Sequence, residues 1–198
     1  MANPIKLKTQ RLLLRPFELG DARDVYEYAQ DPDWSQFLPL PVPYTYRDAE
    51  EFVARSFLTS WETDPIFAIT LNGKVIGSFD VRVDLKNSAA EVGYALGKAQ
   101  WGQGFTAEAG AAAMDWAFRE FGLARIVARA DIENHQSWKV MKKLGMQREG
   151  IARSSGPSPR DPGSREDTVA YSILRHEWEQ LTTVTSYQRV PVTDSRDR

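Results

Sequence analysis

Apolar and polar positions along the chain change period several times, and each change marks an element. Leu12, Leu13 and Leu14 form an apolar run closed by Pro16, too short for a stable helix, so a strand is predicted. From Glu18 to Gln30 the residues Leu19, Ala22, Val25, Tyr26 and Ala29 recur at helical spacing, and Asp31-Pro32 ends the pattern. The segment DPDWSQFLPLPVPYTY that follows is too rich in proline to continue a helix and reads as an ordered aromatic loop. A second helix is predicted from Arg47 to Trp61. Ile66–Leu71 and Lys74–Val83 flank Asn72-Gly73, a connection that favours a type I′ hairpin. A strand over Ala90–Leu96 leads to an alanine-rich helix over Gly104–Phe121, the predicted centre of the fold. Arg125–Ala130 reads as a strand, Ser137–Leu144 as a helix stopped by Gly145, and Thr168–Leu174 as a last strand. Ser154 to Asp167 is predicted to be a loop, either a gate for substrate or an idle surface connection. The reading is one domain over 1–181 with a loose tail over 182–198.

Composition narrows the function classes. The chain has 198 residues, 42% hydrophobic and 26% charged, as expected of one ordinary globular domain with a single core. With 25 basic and 27 acidic side chains the net charge is -2, so nothing draws the whole chain to nucleic acid or an anionic membrane. A polyanionic ligand must be met locally. Cysteine is absent, and His135 and His176 are the only histidines, which excludes thiolate nucleophiles, disulfides, cysteine-ligated zinc and a histidine metal cluster. The start, MANPIKLKTQ, lacks a secretory apolar core, and no stretch approaches the ~20 apolar residues of a membrane span. A cytoplasmic monomer or homodimer without metal is expected.

Gln100-Trp101-Gly102-Gln103-Gly104-Phe105-Thr106 lies between a predicted strand and a predicted helix. Backbone N–H groups and the helix dipole converge on an anion at such a turn, and glycine lets a phosphate approach the backbone. Two other readings share these residues. The glycines can simply shape a strand-to-helix connection. Gly102-x-Gly104-x-x-Ala107 also fits a dinucleotide fingerprint, with Asp131 as the ribose-binding acid of an NAD(P)-dependent oxidoreductase. Against the latter stand the hairpin ahead of the turn and the lack of repeated βα units after Asp131.

The turn resembles the pyrophosphate-binding Q/R-x-x-G-x-G/A signature of the GNAT superfamily. Gly102 and Gly104 match its glycine pair, with Ala99 in place of the usual Gln or Arg; anchored on Gln100 instead, the signature puts Gln103 and Phe105 where small residues belong. The resemblance continues through most of the chain. Thr9-Gln10-Arg11-Leu12-Leu13-Leu14-Arg15 resembles the opening strand of the branch that contains ribosomal-protein N-terminal acetyltransferases. Glu91-Val92-Gly93-Tyr94-Ala95-Leu96, Thr106-Ala107-Glu108-Ala109, Asn134-His135-Gln136-Ser137, Lys143-Leu144-Gly145-Met146 and Glu149-Gly150 resemble its later blocks. The resemblance implies an α/β (α+β) fold, a mixed and mainly antiparallel sheet flanked by helices and split between two central strands to admit acetyl-CoA. It implies an N-acetyltransferase acting on a primary amine, small molecule or protein N-terminus, without a covalent intermediate.

Acetyl transfer needs an oriented amine, a proton acceptor, oxyanion stabilisation and a donor for the departing thiolate. At neutral pH deprotonation costs a lysine amine about 4 to 5 kcal/mol but an α-amine only about 1 kcal/mol. Glu91 is the candidate base, through water, against the alternative of a solvated strand charge. Ser137 is the candidate donor to the thiol, and Asn134 is expected to orient the pantetheine arm; either can instead cap a helix. Leu96, Gly102, Gln103, Gly104, Phe105 and Thr106 are the further residues expected to hold acetyl-CoA. Many relatives carry a tyrosine acid seven residues after this asparagine, where Met141 stands here. Methionine donates no proton, which keeps a non-catalytic acyl-CoA sensor as an alternative. Trp34, Phe37, Tyr44 and Tyr46 wall a substrate site or pack in the core.

Overall fold

Two short antiparallel strands, β1 (Lys6–Lys8) and β2 (Leu13–Pro16), open the computed structural model, which describes residues 3–161, 163–181 and 187–190. The Thr9 hydroxyl oxygen ties their connection by accepting from the Leu12 N–H at 3.0 Å. The predicted first helix starts later than Glu18: a 3-10 turn over Leu19–Asp21 precedes α1 (Ala22–Ala29). There the Asp21 carboxylate is held by both terminal nitrogens of Arg15 at 2.7 Å, so the turn is fixed by a buried ion pair rather than by apolar spacing. α2 (Tyr46–Leu58) begins at a capping box in which Thr45 accepts from the N–H of Asp48 and Asp48 answers the N–H of Thr45.

β3 (Ile66–Leu71) and β4 (Lys74–Asp84) form the expected hairpin. Asn72 and Gly73 take φ of 52° and 84°, the left-handed pair that a type I′ turn requires. β5 (Ala89–Leu96) leads to α3 (Phe105–Phe121), β6 (Arg125–Asp131), α4 (His135–Lys143), β7 (Gln147–Pro157), β8 (Arg165–Leu174), α5 (Arg175–Leu181) and β9 (Gln188–Val190). One nine-stranded sheet results, in the order β7-β8-β6-β5-β4-β3-β2-β1-β9. Among the described residues its only parallel pair is β5 with β6. This is the mixed, mainly antiparallel α/β architecture expected, and among the described residues no doubly wound series follows the glycine turn.

Helices cover both faces. α3 buries Ala109, Ala112, Ala113, Met114, Trp116, Ala117 and Phe118 against the sheet; burial of side chains such as Met114 and Phe118 stabilises by about 1.5–3 kcal/mol each. Its Gly110 fits where a Cβ would come within 3.0 Å of Leu144 and Phe79. On the other face α1 and α2 bury Ala22, Val25, Ala49 and Val53 with Phe17, Ala68 and Val75.

The structure corrects the second half of the chain in three places. Ser154–Pro157 and Arg165–Asp167, predicted as loop, belong to β7 and β8, whose hairpin bulges between Ala152 and Gly156. α5 follows β8 where no helix was predicted. Within the predicted tail, Gln188–Val190 pairs antiparallel with β1; residues 182–186 and 191–198 lie outside the described residues.

Candidate functional site

The sheet opens at its centre. β5 pairs with β6 only over Ala89–Val92 and Arg125–Ala128. Beyond Val92, residues Gly93–Leu96 stay bonded to β4, while Arg129–Asp131 stay bonded to β8. The two central strands therefore diverge into a V whose inner edges lack a strand partner. Unpaired peptide groups at such an edge need other donors or a ligand. At Leu96 two indoles supply them: its carbonyl accepts the Nε1–H of Trp34 at 3.0 Å and of Trp101 at 2.6 Å.

One arm of the V ends at the glycine turn. Gly102 and Gly104 stand at φ of 77° and 81°, in the left-handed region that strains any residue with a Cβ. Gly104 is the residue ahead of α3, and the first bond into the helix runs from the Glu108 N–H to the Gly104 carbonyl at 3.0 Å. The N–H groups of Phe105, Thr106 and Ala107 thus precede the helical ladder, at the positive end of a 17-residue helix. The opening segment braces the turn from below. Arg11 donates to the Gln103 carbonyl at 3.0 Å and to Glu108 Oε2 at 2.6 Å, and its guanidinium covers the Phe105 ring at 4.3 Å. Thr9 donates to Glu108 Oε1 at 2.6 Å. These bonds, with the backbone N–H of Arg11, hold the Glu108 carboxyl below its ordinary pKa against the upward push of burial.

A cleft of about 660 Å³ runs from this turn into the V. Leu96, Gly102, Gly104, Phe105, Thr106, Asn134 and Ser137 line it, as does Gln100. Gln103 does not: its carbonyl is held by Arg11 and its side chain donates to the Ala99 carbonyl at 3.2 Å, so it props the turn. Lys139, Lys142 and Lys143 of α4 line the mouth, and among the described residues none of the three joins an ion pair. This local cation patch answers the net charge of -2. Asn134 caps α4, its Oδ1 accepting the Ser137 N–H at 3.1 Å, while also lining the cleft.

A second cleft, of about 410 Å³, lies on the α1 and α2 face and shares Tyr94, Asn134 and Ser137 with the first, along with the loop residues Trp34 and Phe37 among others. The Tyr94 hydroxyl stands between them, 3.0 Å from the Ser137 carbonyl and 2.9 Å from its Oγ. Burial raises the Tyr94 pKa to about 12, with the Ser137 bond working against it, so the phenol keeps its proton at neutral pH. Met141 is 1% exposed and packs in the core, out of reach of either cleft. A hydroxyl is thus brought to the Ser137 site from a strand, where sequence reasoning looked for one on the helix.

Trp34, Phe37 and Tyr44 wall the second cleft, whereas Tyr46 sits on α2 edge-on to Tyr26. Asp80 and Arg82 of β4 and Arg129 and Asp131 of β6 supply its charges. Glu91 lines neither cleft; its carboxylate is engaged by Arg129 and, at 3.4 Å, by Arg82. Asp131 is buried and accepts from Arg160 at 2.6 Å and from the Glu133 N–H at 2.6 Å. Arg160, at the tip of the β7–β8 hairpin, also covers the Phe37 ring at 4.9 Å. His135 stacks edge-on against Trp138, 4.7 Å between centroids. Among the described residues no cluster is arranged to hold a metal, and no helix is long and apolar enough to cross a membrane.

The family described as acetyltransferase (GNAT) domain matches residues 11–147. The chain belongs to the GNAT acetyltransferases. It is 32% identical over 172 residues to the uncharacterized N-acetyltransferase YnaD of Bacillus subtilis (strain 168), which spans 87% of this chain and 98% of that protein. The crystal structure of a GNAT-family acetyltransferase from Bacillus anthracis aligns at a TM-score of 0.76 and 28% identity, over 86% of this chain and 99% of that one. The microcin self-immunity acetyltransferase MccE, solved in complex with acetyl-CoA and AMP, shares the fold at a TM-score of 0.77 and 20% identity, over 84% and 93% of the two chains. Membership of the GNAT family agrees with the resemblance read from the blocks that hold Thr9, Arg11 and Glu108, which meet at the turn. It also removes the oxidoreductase reading, whose acid, Asp131, is committed to Arg160.

Proposed function

We propose that this protein moves an acetyl group from acetyl-CoA to a primary amine by direct attack within the split. The observation that carries the reading is that two clefts, one ending at a helix N-terminus and lysines, the other aromatic, meet at the Tyr94–Ser137 pair. The donor set suits the cofactor. Gly102, Gly104, Phe105 and Thr106 would hold the pyrophosphate on backbone N–H groups, Lys139, Lys142 and Lys143 would meet further phosphate, and Leu96 and Asn134 would flank the pantetheine arm. Acetyl-CoA supplies the activated thioester. Ser137 would pass a proton to the departing sulfur, and Tyr94, held protonated, would replace that proton on Ser137. The second cleft, about 410 Å³, takes a small amine or the terminal residues of a chain. Arg160 closes its far side by joining the β7–β8 hairpin to Asp131 and Phe37, which supports a gating role for the hairpin tip.

Calorimetry and turnover test the reading together. Wild type should bind acetyl-CoA in the micromolar range and release free thiol when a primary amine is added. Gly104→Asp should lose about 100-fold or more in affinity, because left-handed strain of ~1–2 kcal/mol adds to a like charge beside phosphate. Gly102→Ala, with open space around its Cβ, should lose only about tenfold from strain alone. Tight NAD binding without CoA binding, or CoA binding without acetylation of any amine, would sink the proposal; the latter result would make the protein a sensor.

A further inference from the structure

We infer that Asp80 is the catalytic base and the anchor for the acceptor's ammonium group, an assignment that rests on the acetyl-transfer reading above. Asp80 is paired in register with Gly93, the first residue of β5 beyond its pairing with β6, so it stands at the vertex of the V. The absence of a side chain at Gly93 matters here. A Cβ on it would stand 2.6 Å from Asp80 Oδ1 and 2.9 Å from Oδ2, so the carboxylate occupies space that only glycine leaves free. From there it lines the aromatic cleft.

The other acids of the region are committed elsewhere. Asp131 accepts from Arg160 and from a backbone N–H, and Glu91 is held between two arginines outside both clefts. Asp80 by contrast has, among the described residues, a single ionic neighbour, Arg82 Nε at 3.5 Å, and its side chain is 28% exposed. A carboxylate that faces a cleft with an unfilled hydrogen-bonding capacity is suited to meet a cation. Desolvation raises its pKa above the ordinary aspartate range and Asp64 adds to the push, while Arg82 and its own backbone N–H oppose it. The other titratable groups around the cleft are Tyr28 of α1, Tyr44 ahead of α2 and Tyr94 of β5, all kept protonated by burial, and Arg129 and Asp131 of β6.

The step balances with acetyl-CoA as co-reactant. The ammonium gives one proton to the Asp80 carboxylate, leaving a neutral amine whose lone pair forms the C–N bond to the thioester carbonyl carbon. The C–S bond breaks with its electron pair on sulfur; Ser137 passes its proton to the thiolate and regains one from Tyr94, and the second N–H proton leaves the nitrogen through water to restore the Tyr94 phenol. Amide and free thiol are the products, with one net proton released through Asp80 to water.

Rates with 2-phenylethylamine and with alanyl-phenylalanine amide as probes, measured from pH 5 to 10, test the assignment. Wild-type turnover should fall as pH drops through the raised Asp80 pKa, in a limb above the ordinary carboxylate range. Asp80→Asn should lose ~10²- to 10³-fold in turnover at pH 7, lack that limb, recover part of the loss at high pH, and bind CoA as wild type does. Glu91→Gln should keep the limb. Retention of the acid limb in an Asp80→Asn enzyme that binds CoA overturns the assignment while leaving acetyl transfer intact. Failure of wild type to acetylate either probe or any wider amine panel removes both.

Discussion

The indole N–H groups of Trp34 and Trp101 converge on one atom, the carbonyl oxygen of Leu96 at the open edge of the split. Trp34 reaches it from the aromatic loop at 3.0 Å and Trp101 from the glycine turn at 2.6 Å. A carbonyl has two lone pairs, so either bond alone satisfies it partly, and loss of both leaves a buried acceptor without a donor. Trp34→Phe and Trp101→Phe should each cost about 0.5–1.5 kcal/mol in hydrogen bonding, whereas the double variant should cost about 1–3 kcal/mol more than the sum. A double-mutant cycle in urea measures this, and strict additivity would show that the two indoles act independently.

Tyr94 and Ser137 should behave as one unit. Tyr94→Phe and Ser137→Ala are each expected to lower turnover about 10- to 100-fold with CoA affinity within about twofold of wild type, and the double variant should be little worse than the poorer single. Because the Tyr94 pKa is raised to about 12, no alkaline loss of turnover from this residue should appear below pH 10. Multiplicative effects in the double variant would separate the two hydroxyls and return the leaving-group role to solvent.

Glu166 makes the β7–β8 hairpin sensitive to pH. Its Oε2 is buried with no donor facing it, and burial, followed by the neighbouring Asp131 carboxyl, raises its pKa from 4.5 to about 7 against the pull of Arg160. The folded state thus holds a proton that the unfolded state has released. Its contribution to stability is full below about pH 4.5 and is lost as pH rises toward about 7. Glu166→Gln, which keeps the donor at every pH, should match wild type in Tm at pH 4.5 and exceed it at pH 8. Equal Tm values at pH 8 would contradict this account.

Much of the site was legible because its signals are local. Left-handed glycines at Gly102 and Gly104, the Asn134 cap and the Asn72-Gly73 turn are written in backbone preferences that need no distant partner. Features that depend on a partner leave no periodic signal. β7 is exposed along most of its length and carries no alternation of apolar positions, so its strand exists through pairing with β8. Lys139, Lys142 and Lys143 drew no ligand-binding reading from the sequence; α4 sets them beside the glycine turn.

By itself the sequence determined the class of fold, the strand-turn-helix that suits a phosphate, and the absence of thiol or histidine-cluster chemistry. The tertiary structure alone decided which groups share the site. Tyr94 faces Ser137 and Asp80 lies over Gly93 where β5 and β6 part after Val92, whereas Glu91, still within the paired stretch, is held by Arg129. Periodicity fixes which face of a strand a side chain occupies. Where two strands separate is set by the packing of helices and loops remote in sequence, and that separation selects the residues that reach the cleft.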